Sequence, residues 1–294
     1  MTIDRDKALG APPTVEEISW TTRDVLLYHL SLGAGADAAV GPELGLTYES
    51  YQRGLNVLPT FAMVAGTGIS SGRDSDPAFE LPGIEIDLRR ILHAGQDLTV
   101  HRPLPASGTA TLSSRVVELW DKGRAAVIVR ETAATGPDGE PLWTSRMRIW
   151  AHGAGGFGSE PAPRTEWHAP DRAPDAVLDT PTTPQQALLY RLNGDLNPLH
   201  ADPGFAEAAG FERPVLHGLA SYGLVAKALV GGLLDGAAGR LTELSVRFAG
   251  VLFPGETLRT ALWREGDDRL LLHATCPDRD DAPVLTHATA RITG

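Results

Sequence analysis

The sequence predicts an α+β chain made of two copies of one motif, each a helix wrapped by an antiparallel sheet. Three observations carry this. The first is a repeated pattern: Leu26-Leu27-Tyr28-His29-Leu30 and Leu188-Leu189-Tyr190-Arg191-Leu192 share Leu-Leu-Tyr-x-Leu, each followed by a glycine-containing turn. Internal repeats of this kind are sought before any fold is assigned. The second is a set of Val-, Ile- and Leu-rich stretches separated by hairpin turns in both halves. The third is the apolar stretch Gly218 to Leu234.

In chain order, residues 1–20 read as a loose arm containing Pro12-Pro13. Thr21 to Leu32 reads as a helix that Thr21 or Thr22 can cap. A second helix is expected near Phe61–Ile69, after Leu58-Pro59-Thr60. Strands follow at Gln96–Arg102, Thr109–Trp120, Ala125–Thr132 and Leu142–Ala151, with turn residues at Asp121-Lys122-Gly123 and Gly136-Pro-Asp-Gly139. Gly153-Ala-Gly-Gly-Phe-Gly158 opens a Gly/Pro/Ala-rich connection to about Thr180, which lacks a nucleotide-phosphate pattern and reads as a linker.

The second half runs the same way. Leu219, Tyr222, Gly223, Ala226, Leu229, Val230 and Leu233 keep helical spacing, and the small residues Ala220, Gly223 and Ala226 suit close approach of a curved sheet. Strands are expected at Leu241–Val251, Thr257–Trp263, Leu270–Thr275 and Val284–Ile292. A long apolar helix wrapped by an antiparallel sheet is the hotdog arrangement, so two copies make a double hotdog. The expected division is 1–152 for the first half, 153–180 for the linker and 181–294 for the second half.

Composition narrows the function. The chain has 294 residues, 42% hydrophobic and 21% charged, which suffices for a large core or two fused ones. A net charge of −11 argues against bulk binding to nucleic acid or anionic membrane. The single cysteine, Cys276, excludes an internal disulfide framework and suits a reducing cytoplasm. The N-terminus lacks an apolar signal core, the C-terminus is not a peroxisomal address, and Lys227 and several glycines interrupt the longest apolar stretch. A cytoplasmic location with no membrane partner is therefore expected. His29, His101, His152, His168, His273 and His287 show no metal-ligand spacing, so no metal is expected.

The chemistry concentrates in Tyr190-Arg-Leu-Asn-Gly-Asp195-Leu-Asn197-Pro-Leu-His200 and Arg213-Pro-Val-Leu-His217-Gly218. Pro198 lacks an N–H and disfavours helix at Asn197, so a fixed turn presents Asp195 and His200 together. That pair suits proton transfer near neutral pH. The same residues also make ordinary turn chemistry, and a histidine placed there can simply serve a carbonyl. Spacing alone leaves both readings open. Gly218 begins the apolar helix, where unpaired N–H groups face outward; it is either an anion-stabilising donor or a plain helix start. Asn197 reads first as a turn residue and His217 as a satisfied scaffold histidine.

These two stretches, with Ala208-Ala-Gly-Phe-Glu-Arg between them, closely resemble the signature of the MaoC-like dehydratases, nearest to the type 2 (R-specific) enoyl-CoA hydratases. Asn193 departs from the usual serine. The resemblance implies a double hotdog and a hydro-lyase without a cofactor, coenzyme A being part of the acyl-CoA thioester substrate. It implies that Asp195 and His200 activate a water and that the Gly218 N–H steadies the thioester oxygen. It implies further that His93, Ala94 (Gly in the family) and Phe248 line the substrate site, and that Lys122 meets coenzyme A. The first half lacks the Asp/His pair and the His-Gly pair; in the family such a half accommodates a bulky acyl chain. The expected reaction is hydration of trans-2-enoyl-CoA to (3R)-3-hydroxyacyl-CoA, by a homodimer. The alternatives are a (3R)-hydroxyacyl-carrier-protein dehydratase and, from another class, a non-catalytic acyl-CoA-binding module. A hotdog thioesterase is disfavoured because Gly218–Leu234 carries no carboxylate.

Overall fold

The computed structural model describes residues 2–36, 41–51, 54–67, 78–87, 90–159 and 167–294. The first half contains β1 (Thr2–Ile3), α1 (Arg5–Gly10), β2 (Thr14–Trp20), α2 (Thr22–Ser31), α3 (Gly41–Thr47), β3 (Ala78–Leu81), β4 (Ile84–Asp87), β5 (Ile91–Val100), β6 (Gly108–Asp121), β7 (Ala125–Thr135) and β8 (Pro141–His152). The second contains β9 (Ala176–Pro181), α4 (Gln186–Tyr190), α5 (Pro203–Ala208), α6 (Gly218–Leu233), β10 (Leu241–Phe248), β11 (Thr257–Glu265), β12 (Arg269–Cys276) and β13 (Ala282–Ile292).

Among the described residues, one ten-stranded antiparallel sheet runs β2-β6-β7-β8-β5-β10-β13-β12-β11-β9. Read outward from its middle, the order is the same in both directions, so the two halves are copies related by a pseudo-two-fold. They join where β5 pairs with β10, Leu98 opposite Leu244 and Gln96 opposite Val246. This is a double hotdog.

The repeated pentapeptides meet each other across the two halves. The rings of Tyr28 and Tyr190 lie 6.2 Å apart. Asn193 Nδ2 donates to Ser31 Oγ (3.0 Å) and to Tyr190 O (2.8 Å), and Gln186 Nε2 donates to Ser31 O (2.8 Å). At the start of α2, the Asp24 carboxylate accepts from the Thr21 amide (2.7 Å) and hydroxyl (2.8 Å), occupying donors that a helix start leaves free.

Helix α6 fills the centre. Tyr222, Leu224, Val225, Ala226, Leu229 and Val230 are buried, and each large aliphatic side chain contributes about 1.5–3 kcal/mol by leaving water. The small residue Gly223 admits the other half rather than the sheet: a Cβ there would lie 2.7 Å from Tyr28 Oη and 2.8 Å from Leu32.

Three expectations need correction. The helix expected near Phe61–Ile69 is a short 3-10 turn, Pro59–Met63; residues 68–70 lie outside the described residues. Gly66 ends that stretch in the left-handed region (φ +74°), and a Cβ on it would sit 2.5 Å from Ile18. The loose arm is ordered: Asp4 caps α1 through the Lys7 amide (3.0 Å), and Ala8 joins Ile84, Ile86, Val116 and Ile128 in a second core. The end of the expected linker is the edge strand β9. Its beginning is pinned, because the Gly156 and Gly158 amides donate to the Asp121 carboxylate (2.9 and 2.7 Å).

Candidate active site

Four elements deliver the site. Asn197 caps the 3-10 turn Pro198–His200, its Oδ1 accepting from the Leu199 amide (3.0 Å), while its own amide donates to Asp195 Oδ1 (3.2 Å). Asn197 is thus the turn residue that spacing suggested; that side-chain oxygen is spent on the cap. The turn leaves Asp195 exposed and His200 buried. His200 Nδ1 lies 2.8 Å from Val215 O, so Nδ1 carries the proton and Nε2 keeps a free lone pair. Burial lowers the His200 pKa below the ordinary histidine range, opposed by the Val215 carbonyl and the charge of Asp195.

Gly218 is the first residue of α6 and is open to solvent. A Cβ at this position would press on the Phe248 ring at 3.2 Å, so the bare backbone is what fits beside that ring. Phe248 ends β10 and meets His93 edge-on, ring centroids 4.8 Å apart. His93 Nε2 is 3.1 Å from Gly95 O; burial pushes the His93 pKa down to about 4, against the charge of Asp195. Ala94 is the extra residue of a β-bulge, since His93 pairs with Ile149 and Gly95 with Arg148.

The structure thus brings Asp195, His200, Gly218, Phe248 and His93 to one place on the seam between the halves. Lys122 is not brought there. It is exposed on the β6–β7 hairpin, and β8 and β5 stand between that hairpin and β10.

Sequence reasoning misjudged His217. Its ring stacks on His200, centroids 3.6 Å apart and planes 24° apart, and its Nε2 is 3.2 Å from Asp195 O. Its Nδ1 is buried without a partner among the described residues, so it is not a satisfied scaffold histidine. Its place immediately before Gly218 was the one available signal. Asp195, His200 and His217 each bring a ligand-capable atom within 4.8 Å of the others. Stacked rings direct their in-plane lone pairs side by side, whereas a metal ion needs them to converge. Asp195 and His200 suit proton transfer better.

Comparison with known proteins decides the family. Residues 18–153 match the MFE-2 hydratase 2 N-terminal domain and residues 166–273 the MaoC like domain. A Mycobacterium tuberculosis protein named enoyl-CoA hydratase ChsH3 is 49% identical, over 97% of this chain and 98% of that protein. The chain belongs to the MaoC-like dehydratase family. It stands close to the type 2 hydratases and is a hydro-lyase. A second protein of that organism, named 3-hydroxyacyl-thioester dehydratase Y, is 36% identical over 96% of this chain and 94% of its own length. The crystal structure of a MaoC-like dehydratase from Phytophthora capsici superposes with a TM-score of 0.87 at 29% identity, covering 99% of both chains.

Proposed function

We propose that this protein adds water reversibly across trans-2-enoyl-CoA to give (3R)-3-hydroxyacyl-CoA, with Asp195 and His200 as catalytic residues and no further cofactor. The observation that supports this is a carboxylate and an imidazole, Asp195 and His200, with ligand-capable atoms within 4.8 Å of each other, and the helix that starts at Gly218 directly after His217, whose ring stacks on His200. Similarity to proteins named enoyl-CoA hydratase supports the choice of substrate.

The chemistry follows from the tautomer. His200 Nε2 takes one proton from a water that Asp195 holds, while the water oxygen bonds to C3 of the enoyl chain. Negative charge moves to the thioester oxygen, where the Gly218 N–H meets it; removing one such donor costs about 10²–10³ in rate in other enzymes. The His200 imidazolium then gives its proton to C2, so one water is added and the enzyme is restored. His93 and Phe248 wall the position next to Gly218.

The test is a panel of trans-2-enoyl-CoAs, following loss of the enoyl absorbance and resolving the product enantiomers. A (3R) product is expected. A (3S) product, or binding with no loss of absorbance, refutes the assignment. Parallel assays with carrier-protein thioesters distinguish the hydratase from a carrier-linked dehydratase.

A further inference from the structure

We infer that His217 is a positioning residue of the dyad: it holds the Asp195 turn by a backbone hydrogen bond and shields one face of His200 by ring stacking. This rests on the acid–base roles assigned above.

The molecule contains its own control. His29 is a scaffold histidine with both nitrogens used: Nδ1 lies 2.7 Å from Leu46 O and Nε2 accepts from the Leu58 amide at 3.1 Å. His217 is equally enclosed, at 1% exposure, yet among the described residues only its Nε2 is bonded. A buried polar nitrogen left without a partner is a cost that a purely structural position has no reason to carry.

What the ring gains is its neighbourhood. One face lies against His200, and Tyr190 packs at 4.9 Å. With Nε2–H given to Asp195 O, the backbone of the catalytic carboxylate is tied to the residue preceding Gly218. Turn, imidazole and helix start are thereby fixed to one another through a single side chain.

The ionisable groups whose charges act on His217 are His200, Asp195 and Arg191, while Asp195 and the Val215 carbonyl act on His200. Burial, with His200 beside it, holds His217 at a pKa of about 4, so it stays neutral and does not compete as the base. Its stacked ring also keeps water from His200, which favours the neutral, proton-accepting imidazole.

Two variants of the full chain separate the two roles. His217→Gln keeps a donor for Asp195 O and removes the stacked ring. His217→Phe keeps an aromatic face and removes the donor. The His200 imidazole is titrated by NMR in each, and kcat, KM and the melting temperature are measured alongside.

In His217→Gln the His200 titration moves to higher pH and the acid limb of kcat/KM moves with it. In His217→Phe the titration stays in place. Both variants lose kcat by about 10–100-fold with little change in KM, the usual scale for a slightly misplaced catalytic group. An unmoved His200 titration in both variants overturns the inference, whatever the assay shows. So does wild-type kcat in both, or a loss that only tracks a lower melting temperature. A wild-type protein that fails to hydrate enoyl-CoA, with the titration shift present, overturns the function proposed above and leaves the positioning intact.

Discussion

The two halves of this chain share a sheet order and a pentapeptide but not a centre. In the second half, Leu188-Leu-Tyr190-x-Leu192 leads to the Asp195 turn, and α6 starts at His217-Gly218. In the first, Leu26-Leu-Tyr28-x-Leu30 leads to Ser31-Leu32-Gly33, and the 3-10 turn Pro59–Met63 stands where a long helix would. The sheet tolerates this divergence because each copy is braced by the other: Gly223 of α6 accepts Tyr28 and Leu32 from the opposite half. Repetition supplies the frame, and the connections above it carry the chemistry.

The comparison breaks most sharply at the dyad. Asp195→Asn and His200→Gln should each cut kcat by about 10²–10⁴-fold, the range for general acid–base groups, with circular dichroism and melting unchanged. Equal turnover in either variant means that the two halves are chemically alike after all.

A smaller effect is expected where the halves touch. Asn193→Ala removes a buried donor to Ser31 Oγ and Tyr190 O, leaving Ser31 without that bond, and should cost about 1–3 kcal/mol in denaturant unfolding. A silent substitution would show that the halves are held by their sheet alone.

The pH dependence of stability samples both halves. His29, His93 and His217 fold with pKa values lowered from 6.5 to about 4, mainly by burial. Between those limits the unfolded chain binds more protons, so this stability is complete above about pH 6.5 and is lost as pH falls toward 4. Melting temperatures across that window should decline; a flat profile contradicts the burial of these rings.

The smallest effect is at Lys122. Lys122→Ala should raise KM for acyl-CoA a few-fold at unchanged kcat, as loss of one exposed contact to a phosphate does. An unchanged KM assigns Lys122 to the hairpin alone.

These contrasts also explain what could be read in advance. Strands β6–β8 and β10–β13 were legible because they are Val-, Ile- and Leu-rich stretches between clear turns. Strands β2 and β9 were not, for one shared reason. Each is the outer strand of its copy, and Thr14-Val-Glu-Glu-Ile-Ser-Trp20 turns mostly polar side chains to solvent. The first-half helix was overcalled because Phe61-Ala-Met-Val-Ala looks helical until Gly66 adopts a backbone that Ile18 leaves no room to change. Asp195, His200 and Gly218 were found through a family signature, whose motif density their turn chemistry alone did not supply. Asn193 and His217 were harder to read, because both act through partners distant in sequence, Ser31 and Asp195, which no local pattern displays.

The pairing of β5 with β10 has a consequence for how the molecule can be divided. Cutting the chain between its copies would strip each fragment of half its hydrogen-bonded border, leaving a bare row of amides and carbonyls at what is now the interior of the sheet. A lone fragment would satisfy that border by recruiting its twin, forming a symmetric assembly of identical pieces. Joined in one polypeptide across that border, the two copies need not be identical.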